Sequence, residues 1–226
     1  MSVANQVTKE KSSEAIKCET MKIEEIASPK LFIVSSPSGA GKTTLCHKLM
    51  KEFSDRVRFS ISYTTRPLRG AETSGVDYHF VSTDQFDEMN RSGKFLEWAI
   101  VHGNHYGTAI ADVEALLAAG NDVLFDIDWQ GAAQIRASDR YQGRMTSIFV
   151  MPPSLKELKR RLEGRATDDP AAISRRFALA QAEMSHKDEY DHIVINDDIE
   201  HAYKDFRQIY LNHKIGPAQL EKTNKT

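Results

Sequence analysis

Short apolar runs alternate along this chain with stretches whose apolar positions recur at helical spacing. "KLFIVSS", beginning at Lys30, reads as a buried strand, and "SIFVM" and "HIVIN" read the same way. "DVLFDIDWQG" reads as a continuous apolar strand with carboxylates at its end, and "RFSISYTTR" alternates like a strand. Between these runs, "TTLCHKLMKEF" places Leu45, Leu49 and Phe53 on one helical face. Ser82 and Gln85 have capping-box spacing ahead of a helix carrying Phe86 and Met89. "IADVEALLAAG" predicts a helix that stops at Gly120. Ser154 and Glu157 open a helix carrying Leu155, Leu158 and Leu162, and Asp169-Pro170 opens another. The last helix runs from Ile199 to about His213, with Ile199, Ala202, Tyr203, Phe206, Ile209 and Tyr210 on one side.

Strands that are apolar on both faces and alternate with helices predict an α/β fold, a parallel sheet covered on both sides. Such sheets bind ligands beyond the carboxyl ends of their strands. The loop after Val34, the pair Asp126/Asp128, and Asn196 all fall at such ends. The chain has 226 residues and a formal net charge of −2, so bulk electrostatics give no reason to expect a nucleic-acid partner. No apolar run reaches membrane-spanning length, so no membrane partner is expected. Cys18 and Cys46 form no disulfide framework, which together with a polar, leader-free stretch over 1–28 makes the cytoplasm the expected compartment. Residues 215–226 read as a polar tail, and the composition is compatible with a monomer or a homo-oligomer alike.

"SSPSGAGKTT" follows the first strand and enters a helix. Glycines let backbone N–H groups close on an anion, and the helix N-terminus adds a partial positive charge. The stretch fits G-x-x-x-x-G-K-[ST] except that Ser36 stands at the first glycine. Ser38, Gly39, Ala40, Gly41, Lys42, Thr43 and Thr44 are therefore expected to hold a nucleoside triphosphate. Lys42 would reach its outer phosphates, and the Thr43 hydroxyl would sit on Mg²⁺.

"SISYTTRPLRGAE" supplies groups for a second phosphate. Arg66 and Arg69 offer forked donors, Glu72 can orient one of them, and Tyr78 and Tyr106 add phenolic donors. Glu97, inside "FLEWAI", and Asp128 are carboxylates where burial is costly without a partner. A carboxylate matches the N1–H and N2–H₂ donors of guanine, and the hydroxyls of Ser62 and Thr108 match its O6.

In order, "SPSGAGKTT", "SYTTRPLRGAE", "GVDYHFV", "FLEWAIVHGNHYGT", "DIDWQGA", "PPSLKELKRRLEGR" and "EYDHIVINDD" resemble the guanylate kinases, from about Lys30 to His213. The resemblance implies a P-loop three-layer fold with a small mixed-β GMP-binding subdomain and a helical lid. It implies a kinase domain over 29–214, with a core of 29–61, 109–152 and 187–214, a GMP-binding subdomain over 62–108 and a lid over 153–186. It implies transfer of the γ-phosphoryl of ATP to GMP with Mg²⁺, a step of purine nucleotide metabolism. Lys42 with Arg161, Arg165 and Arg176 match the groups that act on the transferred phosphate, and Asn196 matches a position near the adenine. Ala166 stands where the family has a glycine, and Gly70-Ala71 reverses the usual order. Two rival readings are a P-loop kinase for another small substrate and a non-catalytic binding module of the same fold. Such modules typically lose the P-loop lysine and lid arginines, which are present here.

Overall fold

The computed structural model describes residues 28–101, 103–164 and 170–215. The polar N-terminal stretch up to residue 27, the tail beyond 215, Arg165, Ala166 and the Asp169 cap lie outside them. A five-stranded, all-parallel sheet has the order β2-β7-β1-β8-β9. Its strands are β1 (Leu31–Ser35), β2 (Val57–Phe59), β7 (Asp122–Asp126), β8 (Met145–Met151) and β9 (His192–Ile195). Side chains alternate across the central strands. Phe32, Val34, Leu124, Ile148 and Val150 face a layer made by α1 (Lys42–Glu52) and α7 (Ile199–Ile215). Leu31, Ile33, Val123, Phe125 and Phe149 face the other layer, made by α3 (Ile110–Ala118) and α4 (Trp129–Ala137). Both faces of the central strands β7, β1 and β8 are therefore dry, as continuous apolar strands require, while β9 at the edge leaves Ile193 and Ile195 exposed.

Cys46, on α1, is fully buried in the first of these layers. On α7, Ala202, Phe206 and Tyr210 are buried against the sheet, with Ile199, Tyr203 and Ile209 packed beside them.

A second, four-stranded sheet of order β4-β3-β6-β5 stands apart from the first. It comprises β3 (Tyr63–Thr64), β4 (His79–Phe80), β5 (Phe95–Val101) and β6 (Asn104–Ala109), with α2 (Thr83–Arg91) between β4 and β5. The Ser82–Gln85 capping box opens α2 with both reciprocal bonds formed. At α5 (Leu155–Glu163) the Ser154 hydroxyl accepts from Glu157 N at 3.1 Å. Leu158 and Leu162 of α5 bury themselves against Ala180 of α6 (Pro170–Met184).

Two segments differ from the sequence reading. "RFSISYTTR" is two strands in two sheets. Ser60 N makes a last bond to Leu124 O beside β2, and the chain then crosses so that Tyr63 and Thr64 pair with β6 and β4. Both pieces are half-buried, so one alternating pattern fits both. "DVLFDIDWQG" is strand only as far as Asp126, because the Asp128 carboxylate accepts from Gly131 N at 3.0 Å and starts α4.

At the amino end of the sheet, Asp122 is fully buried and its carboxylate gathers three donors. Lys214 Nζ lies at 2.7 Å, Lys30 N at 2.8 Å and Tyr210 OH at 2.9 Å, while Asp122 N bonds Arg56 O. Lys214 is only 5% exposed and also donates to Ser28 O. Lys214→Ala is expected to cost about 3–5 kcal/mol by leaving a buried carboxylate uncompensated. A urea unfolding curve should show this as a lower midpoint with an unchanged slope.

Candidate active site

The glycine loop joins β1 to α1 at the carboxyl edge of the parallel sheet. Gly41 has φ +96°, a left-handed conformation that favours glycine, and a Cβ there would lie 2.2 Å from Asn196 Nδ2. That amide donates to Ala40 O at 2.7 Å, so Asn196 is committed to the loop backbone. Gly39, at φ +91°, rests on Leu158 and Leu162 of α5. Arg161 donates to Asn196 O at 2.9 Å and to Glu157 at 2.8 Å. From α6, Arg176 donates to Ser38 Oγ at 3.0 Å, while Glu183 accepts from Ser38 N at 3.2 Å. Burial pushes the Glu183 carboxyl above its ordinary value.

Parallel pairing sets Val34 opposite Asp126. Asp126 consequently meets the first turn of α1, ion-paired with Lys42 and accepting from Thr43 Oγ1 at 3.1 Å. Lys42 also donates to Ile127 O at 3.2 Å. Burial works against the Lys42 charge, but the Asp126 carboxylate outweighs it and holds the ammonium above its ordinary value. Thr44 is exposed on the same turn.

The four-stranded sheet forms the opposite wall. Ser62, Tyr78, Glu97 and Tyr106 face Ser36, Lys42, Asp126 and Asp128 across a cleft of about 260 Å³. Thr108 reaches the cleft through Glu97, donating from Oγ1 to Oε1 at 2.6 Å, and Ser62 Oγ lies 3.5 Å from Thr108 Oγ1. Arg66 is 6% exposed and forks onto Glu72 at 2.8 and 2.9 Å, with its guanidinium over the rings of Tyr78 and Phe80. That guanidinium holds the Glu72 carboxyl below its ordinary value. Arg69 N donates to Glu72 at 2.8 Å while its side chain is exposed, and Gly70 takes the positive φ of this turn at +51°.

Sequence reasoning set Asp126 with Asp128 at a ligand-binding strand end but assigned it no contact with the glycine loop. Glu183 had no such signal, because it reaches the loop from a helix far along the chain. Glu157 meets the site through Arg161, one turn away on the same helix.

Glu97 is 4% exposed, and burial, with the nearby Asp128 charge adding to it, raises its pKa to about 7. The Thr108 hydrogen bond works in the opposite direction.

A glycine-loop phosphate cradle with a lysine, a threonine and a strand-end aspartate, facing a carboxylate-lined cleft on a separate sheet, defines a P-loop nucleotide-binding protein. The family model for guanylate kinase matches residues 28–213, and the chain belongs to that family. It is 51% identical over 179 residues to the guanylate kinase of Dechloromonas aromatica strain RCB, covering 79% of this chain and 87% of that one. It is 49% identical over 196 residues to that of Novosphingobium aromaticivorans, covering 87% and 85%. The crystal structure of guanylate kinase from Anaplasma phagocytophilum superposes with a TM-score of 0.67 at 31% identity, covering 84% of this chain and 89% of that one.

In the unfolded chain the Glu97 carboxyl has its ordinary value of 4.5, against about 7 in the fold. The folded state therefore holds this proton more tightly, and that stabilisation is complete below 4.5 and lost as pH rises through 7. Glu97→Gln removes the loss. The variant is expected to gain on the parent by on the order of 3 kcal/mol between pH 4.5 and 8 in chemical denaturation.

Proposed function

We infer that the chain transfers the γ-phosphoryl group of ATP to GMP, giving ADP and GDP. The observation that carries this reading is one cleft that joins the Lys42 and Asp126 end of a phosphate loop to the buried carboxylate of Glu97. Deep burial of an unpaired carboxylate is unfavourable, and a ligand with two N–H donors relieves it. Guanine offers such an edge. Adenine, with an acceptor at N1, does not.

In this reading Glu97 accepts from guanine N1–H and N2–H₂, with Thr108 fixing one carboxylate oxygen. Ser62 stands beside Thr108 for O6, and Asp128, whose carboxylate also bonds Gly131 N and Gln130, adds negative charge on the donor side. Arg66, Arg69, Tyr78 and Tyr106 converge on the GMP phosphate, and Glu72 holds the Arg66 fork in place.

Backbone N–H groups from Ser38 to Thr44 cradle the ATP phosphates. Lys42 lies between that cradle and the GMP pocket, where charge builds as the phosphoryl group moves. Thr43 and Asp126 present a hydroxyl and a carboxylate oxygen 3.1 Å apart, hard donors of the kind Mg²⁺ takes. Bound there, Mg²⁺ would offset phosphate charge. Arg176 sits at the loop through Ser38, and Arg161 and Asn196 brace the loop from the adenine side. Arg165 completes the arginine set from outside the described residues. Phosphoryl transfer needs alignment and charge neutralisation more than proton chemistry, and these groups supply both.

A coupled assay of ADP formation with GMP, AMP, CMP and UMP in turn tests the reading. Turnover is expected with GMP alone, and ADP release equally fast without any monophosphate would overturn it. Lys42→Ala is expected to lower kcat by about 10²–10³-fold, the loss typical of one preorganised donor at a developing charge. GMP binding should weaken as pH falls below about 7, where Glu97 takes up its proton. Calorimetric titration between pH 5.5 and 8.5 checks this, and Glu97→Gln should bind GMP weakly with a flat profile.

A further inference from the structure

The two carboxylates assigned to guanine stand on separate parts of the fold, Glu97 on β5 of the mixed sheet and Asp128 at the start of α4 beneath the parallel sheet. Their spacing is set where α4 meets β5. Three positions at intervals of three along α4, Asp128, Gly131 and Gln134, lie toward that strand. Asp128 caps the helix. At Gly131 a Cβ would fall 2.3 Å from Glu97 Oε2, so glycine lets the carboxylate come down onto the first turn.

Gln134 makes the third contact. Its Oε1 accepts from Trp98 N at 3.1 Å and its Nε2 donates to Trp98 O at 2.7 Å. Trp98 follows Glu97 directly, and β5 is an edge strand whose one neighbour is β6. One side-chain amide thus fills the backbone slot that a further strand would occupy. The grip is on main chain, while Trp98 itself stays 37% exposed.

We propose that Gln134 is a positioning residue for guanine selection, holding β5 against α4 so that Glu97 and Asp128 face the base at a fixed separation. The proposal rests on the GMP reading of the cleft. Gln134 touches no substrate and acts through the Glu97–Trp98 backbone. Its loss lets the mixed sheet drift from α4 without disturbing the phosphate loop, which α5, α6 and Asn196 hold independently.

The test compares the full chain with Gln134→Met, a side chain of similar length without either hydrogen bond. GMP affinity is measured by titration calorimetry, and kcat and both KM values by steady-state assay. The expected result is a GMP Kd and KM raised about tenfold, equivalent to about 1.4 kcal/mol. ATP KM and kcat should stay within about twofold, and preference for GMP over inosine monophosphate, which lacks the 2-amino group, should shrink. Should Gln134→Met not fold, Gln134→Glu, which keeps the acceptor for Trp98 N–H, carries the same comparison. Equal rises in both KM values, or no change in GMP affinity, overturn the proposal. A parent chain that binds no GMP overturns the GMP reading as well, and is told apart because the failure appears without any substitution.

Discussion

The parallel pairing of β1 with β7 is the constraint on which the site depends. Because Val34 lies level with Asp126, the strand-end carboxylate arrives beside the first turn of α1, where Lys42 and Thr43 emerge. A slip of one residue would turn the whole of β7 over and send Asp126 to the opposite face. The slip is resisted because both faces of β7 are filled: Leu124 packs toward α1 and α7, Val123 and Phe125 toward α3 and α4. The dry interior therefore does more than stabilise the sheet. It fixes the rise of each strand, and the chemistry at the upper edge inherits that alignment.

A second body hangs from this frame through the crossing after Phe59 and the return at Ala109. Between those two points lie the charged groups proposed to hold the monophosphate, and Glu97 is the most deeply placed of the cleft carboxylates. Its altered proton affinity follows first from burial, an edge strand pressed on a helix, with the Asp128 charge adding to it. Arg66 is treated differently. Its charge is met at once by Glu72 and by two aromatic faces, so it is held rigid without losing its compensation.

Much of the frame was legible in the sequence because continuous apolar strands and capped helices leave strong local signals. Ser82 with Gln85, and Ser154 with Glu157, formed the caps their spacing implied. The glycine loop was legible for the same reason, since its identity is contiguous. The break in "RFSISYTTR" was not, because alternation describes a half-buried strand without naming its sheet. The early end of "DVLFDIDWQG" turned on one Asp128 side-chain bond that hydropathy cannot register. The contacts of Gln134 and Glu183 join residues distant in sequence, and amide or carboxylate spacing on an ordinary helix does not single them out.

The contact between Gly41 and Asn196 has a consequence for divergence. Their positions are bound by two unequal restraints: the Asn196 side chain fills the space above Gly41, and the backbone at 41 is itself left-handed. Shortening Asn196 would free the space but leave the dihedral restraint untouched. Drift at the distant partner therefore cannot license a side chain in the loop, and the cradle stays shielded from neutral change elsewhere in the chain.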